Sequence, residues 1–265
     1  MPALGFGTWA LRGETCRRSV RAALDLGYRH VDTAEMYDNH REVGDGIRRA
    51  EVDREEVFLV TKLGRSNLRA PAVKRALEQG LGALQTEYVD LLLIHWPNAA
   101  VPLEETLGAM AEMREAGKVR HVGVSNFNVE LLEAAVEAAP VPIFCNQVEY
   151  HPYLSQEPVL DCCREHDVLV IGYCPLARAR VFDDPVLRRI GRNHDRSGGQ
   201  VALRWLLQQT NVGAIPRSGD EGHIRHNFDI FDFELSDEEM ETVFELARGE
   251  RLVGSAGGAD VDWDT

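Results

Sequence analysis

The sequence predicts an α/β fold, a parallel (β/α)8 TIM barrel with its helices outside, and three observations lead there. Short apolar runs of β-forming residues alternate with longer stretches of helical periodicity, about eight times along the chain. A polar side chain suited to chemistry stands at or just past the end of seven successive runs. The 265 residues show no linker, low-complexity tract or charge block, so 1–265 reads as a single domain of ordinary barrel size.

In chain order, a first strand ends at Val31 and Asp32: polar residues flank Val31 in a run too short for a helix, and a helical pattern over 42–49 follows soon after. Tyr37 falls in the loop between them. Residues 57–62 form a second strand, and 73–84 carry apolar side chains at helical spacing. The third strand, 88–95, precedes a helix over 103–116 that stops at Gly117, where a glycine accepts the left-handed backbone of a helix end. A fourth strand covers 119–125, and Asn128 caps a helix through 131–136 that ends before Pro140. Strand five is 143–149, followed by helix 157–166, and strand six is 168–174, followed by two helices over 184–192 and 200–209. Strand seven, 212–216, leads to a helix around Ile224. Residues 231–233 read as the eighth strand, and Ser236-Asp237-Glu238-Glu239 as a capping box opening a last helix through Leu246. Gly5-Phe6-Gly7-Thr8-Trp9-Ala10 fits the glycine pattern of a dinucleotide-binding turn, but only four residues precede it, too few for the strand such a turn follows.

Composition excludes several function classes. A formal charge of −14 argues against a nucleic-acid partner, because phosphate binding needs clustered Lys and Arg. No apolar run approaches the roughly 18 residues of a membrane span, and the first residues lack the charged and apolar regions of a secretory leader, so the chain reads as cytoplasmic, with no membrane partner. The five cysteines show no C-x-x-C spacing and lie mostly in apolar segments, as reduced core residues do; no metal is expected. Only three of the 29 basic residues are lysine (Lys62, Lys74, Lys118). An acidic, lysine-poor surface resembles halophilic proteins, in which concentrated salt screens carboxylate repulsion; an arginine-rich GC-biased genome accounts for the same bias.

The polar strand-end residues are Asp32, Lys62, His95, Ser125 with Asn126, Gln147, Tyr173, and Arg217 with Ser218. Singly, each has a plain structural reading: Lys62 a solvated cation, His95 a core histidine, Gln147 a strand-end hydrogen bonder. Barrel closure would gather all of them on the C-terminal rim, where this fold does its chemistry.

Seven segments carry a resemblance to a known family: Gly5-Phe6-Gly7-Thr8-Trp9, Asp32-Thr33-Ala34-Glu35-Met36-Tyr37, Thr61-Lys62-Leu63, Leu93-Ile94-His95-Trp96-Pro97, Gly123-Val124-Ser125-Asn126-Phe127, Asn146-Gln147-Val148-Glu149-Tyr150-His151-Pro152 and Ile215-Pro216-Arg217-Ser218. In this order they are similar to the aldo-keto reductases, most of all the prokaryotic 2,5-diketo-gluconate reductase type, over nearly the whole chain. The resemblance implies a catalytic tetrad of Asp32, Tyr37, Lys62 and His95. It also implies NADP(H), with NAD(H) as a second cofactor, extended across the barrel mouth. Ser125, Asn126 and Gln147 would hold the nicotinamide amide and Tyr173 would stack on its ring. Pro175, Leu176, Arg217, Ser218, His223 and Asn227 would line the rest of the cofactor, with Trp9 and Trp96 at the substrate pocket. The implied activity is reduction of small carbonyl compounds, possible keto-sugars among them, by a monomer.

The tetrad also makes chemical sense without the resemblance. Reducing a carbonyl takes a hydride, which no side chain supplies, and an acid for the developing alkoxide. Tyr37 suits the acid, with the Lys62 ammonium expected to lower its pKa, Asp32 to orient Lys62, and His95 to donate to the substrate oxygen. Other classes stay open: a cofactor-binding regulatory subunit on the same fold, and a Schiff-base aldolase, disfavoured because Asp32 keeps Lys62 protonated. A metal hydrolase is weaker, lacking H-E-x-x-H or paired histidines. Three departures from the family stand out. The chain starts almost at Gly5, with no room for the family's N-terminal hairpin, which leaves an upstream start open. The segment from His95 to Leu103 and the tail after Arg251 are short, predicting an open pocket. Arg217 and His223 stand where NADP-preferring members carry Lys and Arg.

Overall fold

Parallel pairing fixes the architecture. The computed structural model, which describes residues 1–254 and 261–263, has one eight-stranded sheet in the order β1 to β8, every neighbouring pair parallel. The sheet closes on itself: Gly5 N donates to Ala214 O (2.8 Å), Ala214 N to Ala3 O (2.8 Å) and Gly7 N to Pro216 O (2.9 Å), with Leu4 bridging Ala214 in parallel. The result is the (β/α)8 barrel the alternation predicts.

The first units are β1 (Phe6–Gly7), α1 (Gly13–Leu26), β2 (His30–Asp32), α2 (His40–Arg49), β3 (Phe58–Leu63) and α3 (Ala70–Leu84). They continue with β4 (Val89–Ile94), α4 (Leu103–Glu115), β5 (Val119–Ser125), α5 (Val129–Ala138), β6 (Ile143–Glu149) and α6 (Glu157–Glu165). The last are β7 (Leu169–Tyr173), α7 (Pro185–Asn193), α8 (Gly198–Gln208), β8 (Val212–Ala214), α9 (Glu221–Phe228) and α10 (Asp237–Phe244). Helix ends follow their local chemistry. Asn128 Oδ1 accepts from Leu131 N (2.9 Å), Ser236 and Glu239 form the expected reciprocal box, and Gly117 takes φ 74° just past α4.

The strand count needs a correction at both ends. Phe231–Phe233 is not a strand: Phe231 is 54% exposed and edges onto Phe228 of α9, while Phe233 lies under the Arg196 guanidinium and beside His194, in the connection between α7 and α8. The missing strand is Phe6–Gly7, whose identity comes from pairing with Val31 and Asp32 rather than from its own two residues. The predicted strands one to seven are therefore β2 to β8.

Strands are buried on both faces. Val60, Leu91, Leu93, Cys145, Ile171 and Ile215 fill the barrel interior as one apolar cluster, while the outward faces join the helices in a second, larger one. Cys16, Cys145, Cys162 and Cys163 are buried and Cys174 is half-buried. Among the described residues no helix is long and apolar enough to cross a membrane.

Candidate active site

Register delivers the first three groups to one place. Asp32 pairs with Val60, and Lys62 lies two residues on; Lys62 pairs with Leu93, and His95 lies two residues beyond that. A two-residue step keeps the same face of a strand, so the three side chains climb the inside of the barrel to its C-terminal rim. Tyr37 arrives on a short 3₁₀ turn, Glu35–Tyr37, after β2. Two anchors hold that turn. Glu35 accepts from Gly64 N (2.7 Å) and from the Asn67 amide, and buried Asn39 accepts from Thr33 Oγ1 (2.8 Å) while donating to Thr8 O (2.9 Å) and Leu11 O (3.2 Å).

Lys62 Nζ has three acceptors around it: Asp32 Oδ1 at 2.5 Å, Thr33 O at 2.9 Å and Tyr37 Oη at 3.3 Å. Burial pushes the Lys62 pKa down and Asp32 pulls it back up. Three acceptors for three N–H groups describe an ammonium. Gln147 Nε2 donates to the other Asp32 oxygen (2.9 Å), so the buried carboxylate is satisfied on both sides.

The Tyr37 phenol departs from expectation. Its pKa is raised well above the usual tyrosine value, first by burial and then by Asp32. The lysine does not win because its charge is matched by a carboxylate closer to it than the phenol is. Tyr37 Oη accepts from Lys62, which leaves its own O–H free to donate outward. The His95 ring meets the Tyr37 ring edge-on at 5.6 Å. Burial, with the Lys62 charge adding to it, pushes the His95 pKa down to about 3, so at neutral pH this is a neutral imidazole; its Nδ1 is buried without a hydrogen-bond partner.

The residues expected on the cofactor side adjoin this cluster. Asn126, at φ 63°, donates to His95 O (2.9 Å) and accepts from Tyr173 Oη (2.8 Å), and Ser125 Oγ donates to Gln147 O (2.8 Å). Pro175 is buried and Leu176 half-buried in a loop where Cys174, Ala177, Arg178 and Ala179 all take positive φ. Such backbone costs energy at each non-glycine residue and concentrates at ligand sites. Further round the rim, the exposed Arg217 guanidinium lies 5.9 Å over the Trp9 ring, and Ser218 and Asn227 are buried. His223 is exposed, and its Nδ1 lies 3.9 Å from the Asp220 carboxylate, which caps α9 by accepting from His223 N (2.9 Å). Trp9 is 55% exposed, whereas Trp96 is buried beside His95 in sequence. The set fits a nicotinamide dinucleotide: an aromatic ring held by Asn126, a strained loop after β7 and an exposed guanidinium.

Sequence reasoning missed four residues here. Glu35 and Asn39 brace the tyrosine turn, and Asp220 puts a negative charge beside His223; all three sit within or next to quoted segments. Glu149 is the fourth. Fully buried, it accepts from His151 Nε2 (3.0 Å), Leu252 N (2.6 Å) and Val253 N (2.8 Å), drawing the C-terminal tail to the end of β6. Farther along, Asn128 Nδ2 donates to Asp262 O (2.8 Å), and Arg251 lies 3.8 Å over the Trp263 ring. The short tail thus reaches the strand ends.

The profile of the aldo/keto reductase family matches residues 3–248. The chain belongs to that family. Glyoxal reductase of Bacillus subtilis is 39% identical over 253 residues, covering 95% of this chain and 91% of the relative. The 9,11-endoperoxide prostaglandin H2 reductase of Trypanosoma cruzi is 38% identical over 258 residues, covering 96% and 90%. A solved structure, provisionally named 2,5-diketo-D-gluconic acid reductase B, is 45% identical with a TM-score of 0.97, covering 100% of this chain and 94% of that one.

Proposed function

We propose that this aldo/keto reductase uses NAD(P)H to reduce small aldehydes or ketones, keto-sugars among the candidates, with Tyr37 as general acid. The observation that carries the reading is the convergence of a phenol with a free proton, a neutral imidazole and a buried ammonium–carboxylate pair at one strand-end rim. Ser125, Asn126, Gln147 and Tyr173 would hold the nicotinamide end of the cofactor, Pro175 and Leu176 its middle, and Arg217, Ser218, His223 and Asn227 its adenosine end. Bound NAD(P)H supplies the hydride.

The side chains do the rest. His95 donates a hydrogen bond to the carbonyl oxygen, and its neutral state at working pH leaves Tyr37 as the proton source. Tyr37 gives its O–H proton to that oxygen as negative charge develops there, and Lys62, already donating to Tyr37 Oη, stabilises the phenolate left behind. Asp32 keeps Lys62 charged and aimed. Solvent returns the proton to Tyr37. Trp9 and Trp96 flank the substrate. The tetrad and the expected cofactor side lie on one barrel, so we take the working unit to be a single barrel domain; a monomer in the cytoplasm is the setting we propose for it.

Following nicotinamide absorbance with aldehydes, ketones and keto-sugars tests the reading, with Tyr37→Phe as the decisive variant. General acids contribute about 10²- to 10⁴-fold in rate, so Tyr37→Phe should lose at least ~10²-fold in kcat while binding cofactor as before. A variant that keeps most of its kcat refutes Tyr37 as the acid.

A further inference from the structure

In the outer helical layer, α5 packs beside α6 and three side chains of different ligand type come together: Glu133, Cys162 and His166. A carboxylate oxygen, the Cys162 Sγ and an imidazole nitrogen all lie within 4.8 Å of one another. Cys162 and His166 are four residues apart at the end of α6, so they share a helix face, and Glu133 meets them from α5. Arg164, the nearest cation in sequence, is turned to Asp161 at 2.5 Å.

We propose that Glu133, Cys162 and His166 form a zinc-binding site separate from the carbonyl-reducing rim. Thiolate and imidazole select a borderline-soft transition ion over Mg²⁺ or Ca²⁺, and the carboxylate adds a third protein ligand of the kind zinc accepts. Tetrahedral zinc holds its ligand atoms about 3.5 Å apart, so the cluster has to close by up to about 1.3 Å. Glu133 and His166 are exposed and can turn inward over buried Cys162 by changing rotamer. On binding, the Cys162 thiol releases its proton to solvent and its sulfur lone pair goes to the metal; water takes the fourth position. The ion ties α5 to α6 in the folded state alone, so it stabilises by mass action.

Cobalt(II) is the probe, added to reduced, metal-stripped full-length protein. One equivalent should produce a thiolate-to-cobalt charge-transfer band, abolished by Zn²⁺ and untouched by equimolar Mg²⁺. Cys162→Ser should remove the band. His166→Gln and Glu133→Gln alter exposed positions that leave the fold intact, and each should weaken cobalt binding by at least the ~10-fold that losing even an outer partner costs. The proposal is overturned if no band forms, if Mg²⁺ competes, if both exposed variants bind as the parent does, or if the band is lost in Cys174→Ser instead.

Discussion

On the proposed reading, cofactor preference should turn on two neighbouring side chains at the start of α9, its cap Asp220 and His223. A 2′-phosphate carries close to two negative charges, and a guanidinium meets it with a permanently charged fork. Arg217 offers one such group. The next position in the family pattern is His223, an imidazole without a guanidinium's fork of donors, and the Asp220 carboxylate, of the same sign as the phosphate, stands 3.9 Å from it. NADPH should therefore be preferred by a narrow margin, with NADH giving measurable turnover. In His223→Arg a charge-assisted contact contributes about 1.5 to 3 kcal/mol. Because the His223 side chain is 78% exposed, the lower end applies, roughly tenfold in the ratio of kcat/KM for NADPH over NADH. Asp220→Ser keeps a helix cap and removes a like-charged carboxylate from beside His223, so the same ratio should rise. Steady-state kinetics with both cofactors on the parent and the two variants checks this. A ratio unmoved by either substitution would mean that neither side chain reaches the phosphate.

Lys62→Met should abolish turnover and lower stability by about 3 to 5 kcal/mol, because it strands Asp32 as a buried carboxylate; a urea midpoint equal to the parent's would contradict the buried pair. The charge of −14 predicts a melting temperature that climbs with KCl up to molar concentrations, where the Debye length is about 3 Å, whereas a flat profile leaves genome composition as the source of the lysine deficit. Burial holds His95 down to about 3 and His30 and His40 down to about 4. The unfolded chain binds these three protons near pH 6.5 and the folded chain does not, so stability is full above about pH 6.5 and is lost as pH falls toward 4. Each proton contributes a slope of about 1.4 kcal/mol per pH unit, and His40→Asn should reduce the measured slope by one proton's worth; an unchanged slope would mean that His40 is protonated in the fold.

The barrel was readable because its interior is uniformly apolar while its strand ends are not: each polar group closing an apolar run marks the rim directly, as Asp32, Lys62 and His95 do. Where a strand owes its existence to its neighbours, the chain gives no such mark. Phe6–Gly7 has two residues and one side chain of substance, and only pairing with Val31 and closure onto Ala214 make it β1. Phe231-Asp232-Phe233 has the right alternation and yet packs on α9 and the α7–α8 connection, since alternation reports a face to bury and not what buries it. The four residues that gather at the rim were legible, yet the direction of the Tyr37 pKa was not, because it depends on burial and on how tightly Asp32 claims Lys62. The Glu149 clamp joins residues a hundred positions apart, and nothing local in Leu252 or Val253 announces it.

The seam between the two ends of the sheet sets a timetable for synthesis. Gly5 leaves the ribosome first and its partner Ala214 follows 209 residues later, about 10 to 40 s at ordinary elongation rates. Through that interval β1 can pair with β2, but its outer edge and that of each newest strand stay open. A growing sheet with two free edges and an apolar inner face is a template for pairing with other nascent chains. The barrel can end that exposure only when β8 arrives, so for this protein the hazardous stage of biogenesis lasts for the 209 residues that separate the two sides of the seam.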